Sequence, residues 1–315
     1  MKILFAAPEN AWGGIFDKLR HAHPDVEFNA SGSYKIDSLK GFDVLIPTMS
    51  PVSETLLRSA DSLQLIQQIG AGLEGVDIEA ATSRGITVAN VPTDVSGNAD
   101  SVAELGIYLM MALARQSREI HTHLQNRQIG APMGKALQGK TAGLVGLGGI
   151  GKALIQRLRA FNMRLIGIKS VASEEFAEQF GLDWVGNLAN LPQLLSESDF
   201  VVLSLPDSDE THHLLNHNVF QYMRPGTFLV NLGRGGVIER QALLTALEDG
   251  TLGGAGLDVF WQEPPDPQDP IFSQNVIATP HIGGVTDVSL EGIYQNVIEN
   301  IRRLKQGEPL LHCRN

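Results

Sequence analysis

The feature of this sequence that most constrains its fold is a repeated alternation of short apolar runs with longer helical patterns. In the first third of the chain, the apolar runs are KILFA from Lys2, VLIP from Val44, LIQQI from Leu65 and ITVAN from Ile86. From Thr141 onward, the runs are TAGLVG, RLIGI, FVVLSLP, GTFLVNLG, GGAGLDVF and NVIATP. Strands separated by helices pair in parallel. The sequence therefore predicts an α/β protein with doubly wound parallel sheets.

The length and the helical patterns of the chain predict two domains. Its 315 residues exceed the span of about 100 to 200 residues that one compact domain usually occupies. The apolar pattern SVAELGIYLMMALAR begins at Ser101, and Ser101 and Glu104 have the spacing of a capping box. We expect this helix to lead from residues 1–98 into a second domain, 99–284, and residues 285–315 to return to the first. A ligand cleft is expected between the two domains.

A glycine turn, GLGGIG, lies between a strand pattern and the helix pattern KALIQRLRAF. In such a turn Gly146 allows a tight bend, Gly148 lets a pyrophosphate approach the backbone, and Gly151 lets the helix pack on the strand. An ordinary strand-to-helix turn is the alternative. The flanking patterns favour a Rossmann-like dinucleotide-binding domain at 99–284, with residues 1–98 and 285–315 as the substrate domain. The expected cofactor contacts are Gly146, Gly148, Gly149, Ile150 and Gly151.

The end of the next strand pattern bears on the choice between NAD and NADP. An NAD-preferring site carries Asp or Glu about 20 residues after the glycine turn, where the carboxylate binds the ribose 2′-hydroxyl. Here RLIGI ends in Lys169 and Ser170, and Lys169 lies 18 residues after Gly151. No carboxylate is present there to repel a 2′-phosphate, so the sequence favours NADP over NAD. The alternative is that Lys169 only extends toward solvent from a strand end.

Charge and cysteine content exclude several classes of partner. The chain has 24 Lys and Arg against 35 Asp and Glu, a net charge of -11, so neither nucleic acid nor an anionic membrane is an expected partner. No apolar stretch approaches the roughly 20 residues that span a bilayer, and the start of the chain does not fit a signal peptide. Cys313 is the only cysteine, so no disulfide within the chain is possible. We expect a cytoplasmic protein.

Three further motifs accompany the glycine turn: NLGRGG from Asn231, GLDVFWQEP from Gly256 and TPHIGG from Thr279. In this order and spacing the motifs resemble the D-isomer-specific 2-hydroxyacid dehydrogenases, which include glyoxylate, hydroxypyruvate, D-lactate and phosphoglycerate dehydrogenases. The resemblance covers nearly the whole chain. It implies hydride transfer between a nicotinamide cofactor and a small 2-keto or D-2-hydroxy acid. It also implies a homodimer formed through the cofactor domain, with the helix from Ser101 as the expected contact.

Reduction of a 2-keto acid needs a cation for the carboxylate, a proton for the carbonyl oxygen and a group that holds the proton donor. Arg234 can form charge-assisted hydrogen bonds with the carboxylate and polarise the carbonyl. His281, between a strand end and a glycine pair, can act as general acid. Glu263, before two prolines, is expected from the resemblance to hold the imidazole. A surface Arg in a glycine turn and a solvent-exposed Glu are the alternatives.

The resemblance also implies contacts around the adenosine and nicotinamide. Asp258 corresponds to the family's acid near the nicotinamide and is expected to position its carboxamide, and a buried turn residue is the alternative. The other expected contacts are Leu205, Pro206, Thr211, Asn231, Leu232, Gly233 and Gly283. No metal is expected, because His121 and His123 have a spacing that points their rings apart on a helix.

Two loops of residues 1–98 are candidates for binding the rest of the substrate. The loop IGAGLEGVD resembles the family loop whose N–H groups bind the substrate carboxylate, here those of Ala71 and Gly72. The loop PTMSP, with Met49, is expected beside the substrate's side group. It has no Arg or Lys for a phosphate, which favours glyoxylate, hydroxypyruvate or pyruvate over phosphoglycerate. Met49 also suits a branched keto acid.

Other functions remain open from the sequence. A binding protein is one alternative, because relatives of this fold include nucleotide-sensing transcriptional corepressors. A dehydrogenase acting on formate or phosphite is another, although formate-specific relatives have Gln where Glu263 stands. Trp261 either caps the active site or fills a domain interface. The presence of Arg234, Glu263 and His281 favours an NAD(P)-dependent enzyme, with glyoxylate or hydroxypyruvate as its substrate.

Overall fold

The chain divides into two α/β units in the computed structural model, which describes residues 1–315. Unit 1 comprises Met1–Asn98 with Val285–Asn315, and unit 2 comprises Ala99–Gly284. The elements of unit 1 before the chain leaves it are β1 (Lys2–Phe5), α1 (Ile15–Ala22), β2 (Glu27–Ala30), β3 (Val44–Ile46), α2 (Glu54–Leu57), β4 (Leu65–Gln67), α3 (Ile78–Ser83) and β5 (Thr87–Ala89), with a 3-10 turn at Trp12–Gly14. Which unit binds substrate and which binds cofactor stays a prediction.

The strands of unit 1 form one parallel sheet in the order β2-β1-β3-β4-β5. The residues of β3 and β4 are buried throughout, which explains why these strands read as continuous apolar runs. The apolar runs do not predict β2, whose sequence EFNA is exposed or half-buried at the edge of the sheet. An edge strand needs backbone pairing on only one side, so its side chains carry a weak signal.

Unit 2 repeats the alternation on a larger scale. Its elements are α4 (Asn98–Ala114), α5 (Ser117–Gln125), β6 (Thr141–Val145), α6 (Gly149–Ala160), β7 (Arg164–Ile168), α7 (Glu174–Phe180), β8 (Trp184–Gly186), α8 (Leu191–Glu197), β9 (Phe200–Leu203), α9 (His217–Phe220), β10 (Thr227–Asn231), α10 (Arg240–Glu248), β11 (Leu252–Leu257) and β12 (Val276–Ala278). Short 3-10 turns lie at Leu188–Asn190, Gly235–Val237 and Pro270–Ser273.

The seven strands of unit 2 pair in parallel in the order β12-β11-β10-β9-β6-β7-β8. The sequence predicts six of them and misses β8, a short edge strand. Together with the sheet of unit 1, this arrangement confirms the predicted α/β class. None of the helices in either unit is long and apolar enough to cross a membrane.

The long helix at the start of unit 2 begins earlier than its sequence pattern predicts. Helix α4 starts at Asn98, so Ser101 lies within the first turn instead of capping the helix. The predicted capping box of Ser101 and Glu104 is therefore wrong. Ser101 is buried. Asn98 is the last residue of unit 1 before the chain enters unit 2, and its side chain donates a hydrogen bond to Ser289 Oγ of the same unit.

The last helix, α11 (Asp287–Gln306), belongs to unit 1. The Thr286 side chain accepts a hydrogen bond from Ser289 N at its start, and Gly307 ends it in the left-handed conformation. One face of α11 buries Ile293, Val297 and Ile301 in the same cluster as residues of β1 and α1. The amphipathic pattern at 285–304 thus corresponds to a helix that covers one face of the sheet.

We predict that Val297→Ala destabilises unit 1, because the substitution leaves a cavity in a fully buried position. The expected loss is about 1.5–3 kcal/mol in the free energy of unfolding, measured by urea denaturation. Val288→Ala is the matched control on the same helix, since Val288 is 62% exposed. Equal losses for the two variants would contradict the packing described for α11.

Candidate active site

The segments of unit 2 that carry most of the residues singled out from the sequence lie at one edge of its sheet. They follow the carboxyl ends of β6, β9, β10, β11 and β12, which are neighbours in the sheet. Close backbone approach joins them: a Cβ placed on Gly146 would lie 2.8 Å from Ser204 O, and one on Gly233 would lie 2.4 Å from Leu205 O. Ligands of open α/β sheets bind outside this edge.

The glycine turn after β6 has the geometry that a dinucleotide pyrophosphate requires. Gly146 has φ +100°, which side chains rarely adopt, and a Cβ on Gly151 would lie 2.3 Å from Gly146 O. A Cβ on Gly148 would meet nothing within 4 Å, so the backbone is open to a ligand there. Gly148 caps α6 without a side-chain hydrogen bond, which leaves the first N–H groups of the helix for an anion. The residues present therefore fit the phosphates of NAD or NADP.

The end of β7 carries no acidic side chain. Lys169 N donates to Gly186 O at 2.9 Å, which fixes the backbone beside β8. The Lys169 ammonium lies 5.6 Å from the centre of the Phe176 ring, and Ser170 is exposed. A cation and a hydroxyl are therefore available at the position where an NAD-specific site has a carboxylate.

Several predicted cofactor contacts also hold the loops of unit 2 in place. Thr211 Oγ1 donates to Pro206 O at 2.6 Å and accepts from Ser208 N at 2.8 Å, which closes the loop after β9. The Asn231 side chain accepts from Gly233 N at 3.0 Å and donates to Arg234 O at 2.9 Å. Leu205 and Leu232 are buried in the core. Their contact with a cofactor stays a prediction.

Arg234 follows β10 in the turn that Asn231 holds. It is half-buried, and its Nη1 donates to Gly233 O at 2.8 Å. Its positive charge contributes to lowering the pKa of Glu263, so the guanidinium acts electrostatically on that carboxylate. The structure thus brings Arg234 into the same electrostatic environment as Glu263.

Glu263 and His281 are joined by a direct side-chain hydrogen bond. His281 Nδ1 lies 2.6 Å from Glu263 Oε2, and Glu263 Oε1 accepts from Phe260 N at 3.0 Å. A carboxylate only accepts hydrogen bonds, so Nδ1 carries a proton and Nε2 is the nitrogen that would exchange one with a ligand. His281 has φ +54°, a strained backbone conformation for a residue with a side chain. The sequence prediction that these two residues meet agrees with this geometry.

The environment keeps Glu263 ionised. Burial raises the pKa of Glu263, but the hydrogen bond and charge of His281, with smaller contributions from Phe260 N and Arg234, lower it below its usual value. The stabilising contribution of the ionised carboxylate is therefore present at neutral pH. This contribution to stability is lost only as the pH falls below the usual pKa of a glutamate and through the lowered pKa of Glu263.

Asp258 anchors the turn that carries His281. It is buried after β11, and its carboxylate accepts from Thr279 Oγ1 at 2.7 Å, from Ile282 N at 2.8 Å and from Gly283 N at 2.9 Å. Burial raises the pKa of Asp258, and these hydrogen bonds with the charge of His281 lower it by less. The sequence suggested a contact of Asp258 and Gly283 with the nicotinamide. In the structure these two groups bind each other, and their contact with the cofactor stays a prediction.

Contacts that the sequence motifs do not predict tie the segment of Glu263 to that of Arg234. Trp261 Nε1 donates to Ile238 O at 2.6 Å, and its ring packs against the core of unit 2. Arg240 forms a paired ion bridge with Asp269, with Nε–Oδ2 at 2.9 Å and Nη2–Oδ1 at 2.7 Å. These contacts join residues far apart in the sequence, so no local pattern predicts them. The sequence suggests only that Trp261 either caps the active site or fills a domain interface.

The predicted substrate loops lie in unit 1. Met49 is 45% exposed, and the preceding Thr48 is buried with φ +55° and donates from Oγ1 to Ala6 O at 2.7 Å. The N–H groups of Ala71 and Gly72 donate to no acceptor within the protein, and both residues are at least partly exposed. They are therefore available to an anion. The structure also contains no group of three or more His, Cys, Asp or Glu side chains that could hold a metal ion.

We predict that Arg240→Ala lowers the free energy of unfolding by about 1 kcal/mol at neutral pH, because the paired bridge to Asp269 is only partly exposed. Arg240 lowers the pKa of Asp269 below its usual 3.8, so the stabilisation by the ion pair is lost as the pH falls from the usual pKa toward the lowered one. The measurement is urea denaturation at neutral pH and at a pH below the lowered pKa of Asp269. Arg240→Lys, which keeps the charge without the paired geometry, is the matched control. If Arg240→Ala lowered the free energy of unfolding equally at both pH values, the loss would not come from the ion pair with Asp269.

Comparison with known proteins identifies the family. Residues 107–283 match the family model described as D-isomer specific 2-hydroxyacid dehydrogenase, NAD binding domain. The glyoxylate reductase of Thermococcus litoralis is 34% identical over 283 residues, which cover 87% of this chain and 83% of that protein. The D-3-phosphoglycerate dehydrogenase of Methanocaldococcus jannaschii is 33% identical, over 87% of this chain and 52% of that protein.

Solved structures share the fold over the whole chain. The D-lactate dehydrogenase of Aquifex aeolicus, in complex with NAD and lactic acid, has a TM-score of 0.86 and 25% identity, over 98% of this chain and 96% of that chain. The TT0316 protein of Thermus thermophilus has a TM-score of 0.84 and 30% identity, over 100% of both chains. The chain therefore belongs to the D-isomer specific 2-hydroxyacid dehydrogenase family and is an NAD(P)-dependent oxidoreductase.

Proposed function

We propose that this protein reduces a small 2-keto acid, glyoxylate or hydroxypyruvate, to the corresponding D-2-hydroxy acid. The observation that carries the proposal is the pair of His281 Nδ1 and Glu263 Oε2 at 2.6 Å, within the electrostatic reach of Arg234. These three groups supply a proton donor, a carboxylate that holds the donor in place, and a cation for an anionic substrate. The similarity to glyoxylate reductases supports glyoxylate as the substrate.

The three side chains have distinct roles in the proposed reduction. The nicotinamide cofactor, when bound, supplies the hydride that adds to the carbon of the keto group. Arg234 binds the substrate carboxylate and polarises the carbonyl, which stabilises the negative charge that develops on oxygen. His281 donates the proton from Nε2 to that oxygen, so the product is a neutral hydroxyl. Glu263 stabilises the imidazolium before transfer and holds the ring through Nδ1.

Two loops of unit 1 are also proposed to bind the substrate. The N–H groups of Ala71 and Gly72 bind the substrate carboxylate, and Met49 contacts the side group. Neither the loop at 47–51 nor the segment 69–72 contains Arg or Lys, which favours a small uncharged side group over a phosphate. Met49 is the residue through which a branched keto acid would be accommodated if the substrate is larger.

The proposed cofactor contacts lie along the carboxyl edge of the sheet of unit 2. The glycine turn binds the pyrophosphate through the start of α6, and Asp258 holds the turn of His281 next to the nicotinamide. The remaining proposed contacts are Gly146, Gly148, Gly149, Ile150, Gly151, Leu205, Pro206, Thr211, Asn231, Leu232, Gly233 and Gly283. Lys169 and Ser170 favour NADP over NAD, because they offer a cation and a hydroxyl to a 2′-phosphate.

The cofactor preference is tested by Ser170→Asp, which places a carboxylate at the end of β7. We expect the ratio of kcat/KM for NADPH to that for NADH to fall about tenfold or more, because the carboxylate repels the 2′-phosphate. Ser173→Asp, a short distance further along the chain, is the control for added charge. A wild-type enzyme that uses NADH better than NADPH would overturn the NADP preference and leave the catalytic proposal in place.

The activity is tested by following NADPH and NADH oxidation with glyoxylate, hydroxypyruvate, pyruvate and a branched keto acid. We expect His281→Ala to lower kcat by about 10²–10⁴-fold, since general acid catalysis contributes this much. His212→Ala is the control, because His212 lies in the same unit and also pairs with a carboxylate, that of Asp207. Binding of a nucleotide without turnover of any substrate would instead favour the nucleotide-sensing protein.

A homodimer in the cytoplasm is the proposed state of the protein. Exposed apolar side chains support a contact through α4, α5 and the segment that follows: Tyr108, Met111, Leu124, Ile129 and Met133. Light scattering tests the dimer: we expect a dimeric wild type and a larger share of monomer in Ile129→Asp, and a monomeric wild type would refute the proposal. The cytoplasmic location is proposed because one cysteine, Cys313, allows no disulfide within the chain, and cell fractionation tests it.

A further inference from the structure

The segment 311–315 extends the sheet of unit 1 beside β5. Ala89 and Cys313 form an antiparallel bridge, and Arg314 N donates to Val88 O at 2.8 Å. Asn90 N donates to His312 O at 3.3 Å. Because β5 is the edge strand of the sheet, this segment satisfies backbone groups that would otherwise face solvent. Segment 311–315 is therefore part of the framework around residue 90.

The side chain of Asn90 joins this segment to the proposed substrate loop. Asn90 is 4% exposed; its Nδ2 donates to Ala71 O at 2.6 Å, and its Oδ1 accepts from Arg314 Nε at 2.9 Å. A carboxamide is the side-chain group that donates from one end and accepts at the other, so both bonds depend on its chemical identity. Asn90 thus connects Arg314 with the carbonyl of Ala71.

The bond to Ala71 O fixes the direction of Gly72 N–H. The carbonyl of Ala71 and the N–H of Gly72 belong to one planar peptide unit, which is trans. In a trans peptide these two groups point in opposite directions, so a carbonyl held toward Asn90 directs Gly72 N–H away from it. A second hydrogen bond, from Val91 N to Gly70 O at 3.0 Å, also links the loop 69–72 to the segment after β5.

A second set of buried amides fixes segment 311–315 from its other end. Leu311 N donates to Asn300 Oδ1 at 2.8 Å, and Asn300 Nδ2 donates to Leu311 O at 3.0 Å and to Gln67 Oε1 at 2.7 Å. Gln67 Nε2 then donates to the backbone oxygen of Gln68 at 2.9 Å, in the residue that precedes the loop. Asn300 and Gln67 are both buried. The segment is thus held by buried hydrogen bonds rather than by exposed ones alone.

We propose that Asn90 is a positioning residue for the substrate carboxylate, and that Arg314 orients its carboxamide. Asn90 does not touch the substrate; it sets the direction of the Gly72 N–H group that binds the carboxylate. The inference rests on the proposed function of the loop 69–72. Loss of the Asn90 contact is expected to weaken keto acid binding, with little effect on cofactor binding or on proton transfer in the bound complex.

The experiment measures KM and kcat for glyoxylate, together with the Kd of the better cofactor by fluorescence, in the wild type and in Asn90→Asp and Asn90→Ala. Asn90→Asp keeps an acceptor for Arg314 but replaces the donor to Ala71 O with an oxygen. We expect KM to rise about tenfold in both variants, kcat to change less than about threefold, and the cofactor Kd to remain unchanged. A rise in Asn90→Asp alone would indicate charge repulsion and overturn the proposal.

Because substitutions at the buried Asn90 could impair folding, a second set of variants changes exposed residues of segment 311–315 instead. Arg314→Ala, at an exposed position, is expected to raise KM about threefold, and Arg314→Lys is expected to restore part of the loss. Asn315→Ala is the matched control, because the Asn315 side chain bonds to Thr82, Ile86 and Val88 and not to Asn90. An equal rise in Asn315→Ala would overturn the proposal in favour of general loosening.

The outcomes separate this inference from the proposed function. A wild type that reduces glyoxylate, with Asn90 and Arg314 variants of unchanged KM, would overturn the inference and leave the proposed function standing. A wild type that reduces none of the keto acids would overturn the proposed function, and with it the role of Asn90 in binding a substrate carboxylate.

Discussion

Parallel pairing of the strands in unit 2 is the constraint on which the candidate active site depends. Because neighbouring strands run in the same direction, their carboxyl ends meet at one edge, and the segments after them meet there too. The glycine turn, the turn of Arg234 and the turn of His281 come from distant parts of the chain. The glycines at 146, 233 and 235 permit this approach, because a Cβ at any of these positions would meet a neighbouring backbone atom.

The two carboxylates near His281 have pKa values shifted in opposite directions, and this difference separates their roles. Burial dominates at Asp258 and raises its pKa, whereas the contacts of Glu263 with His281, Phe260 and Arg234 outweigh burial and lower its pKa. The two oxygens of Asp258 accept three hydrogen bonds from the turn at 279–283. Asp258 therefore holds the backbone of the turn, and Glu263 supplies the negative charge that the imidazole faces.

Features with a local cause could be predicted from the sequence. The positions of Gly146 and Gly151 follow from the backbone geometry of a strand-to-helix turn, and their spacing is visible in six residues. The contact of Glu263 with His281 is not local in the sequence; it was expected because the motifs that contain them resemble those of the family. The apolar runs predicted the central strands, because burial on both faces leaves a continuous hydrophobic signal.

The features that the sequence did not predict have long-range or weak causes. Strands β2 and β8 lie at sheet edges, where partial exposure removes the apolar run. The start of α4 at Asn98 was missed because Ser101 and Glu104 have a capping spacing within the helix. The hydrogen bond that Arg314 donates to the Asn90 side chain joins residues 224 positions apart, and no local pattern predicts such a contact.

The kcat for glyoxylate reduction in the wild type and in Glu263→Gln tests the central claim most directly. If the Glu263 carboxylate supports proton donation by His281 through its contact with Nδ1, its removal lowers kcat by about tenfold or more and leaves the Kd of the cofactor unchanged. An unchanged kcat in Glu263→Gln would contradict the account, because the pair of Glu263 and His281 would then not govern proton delivery.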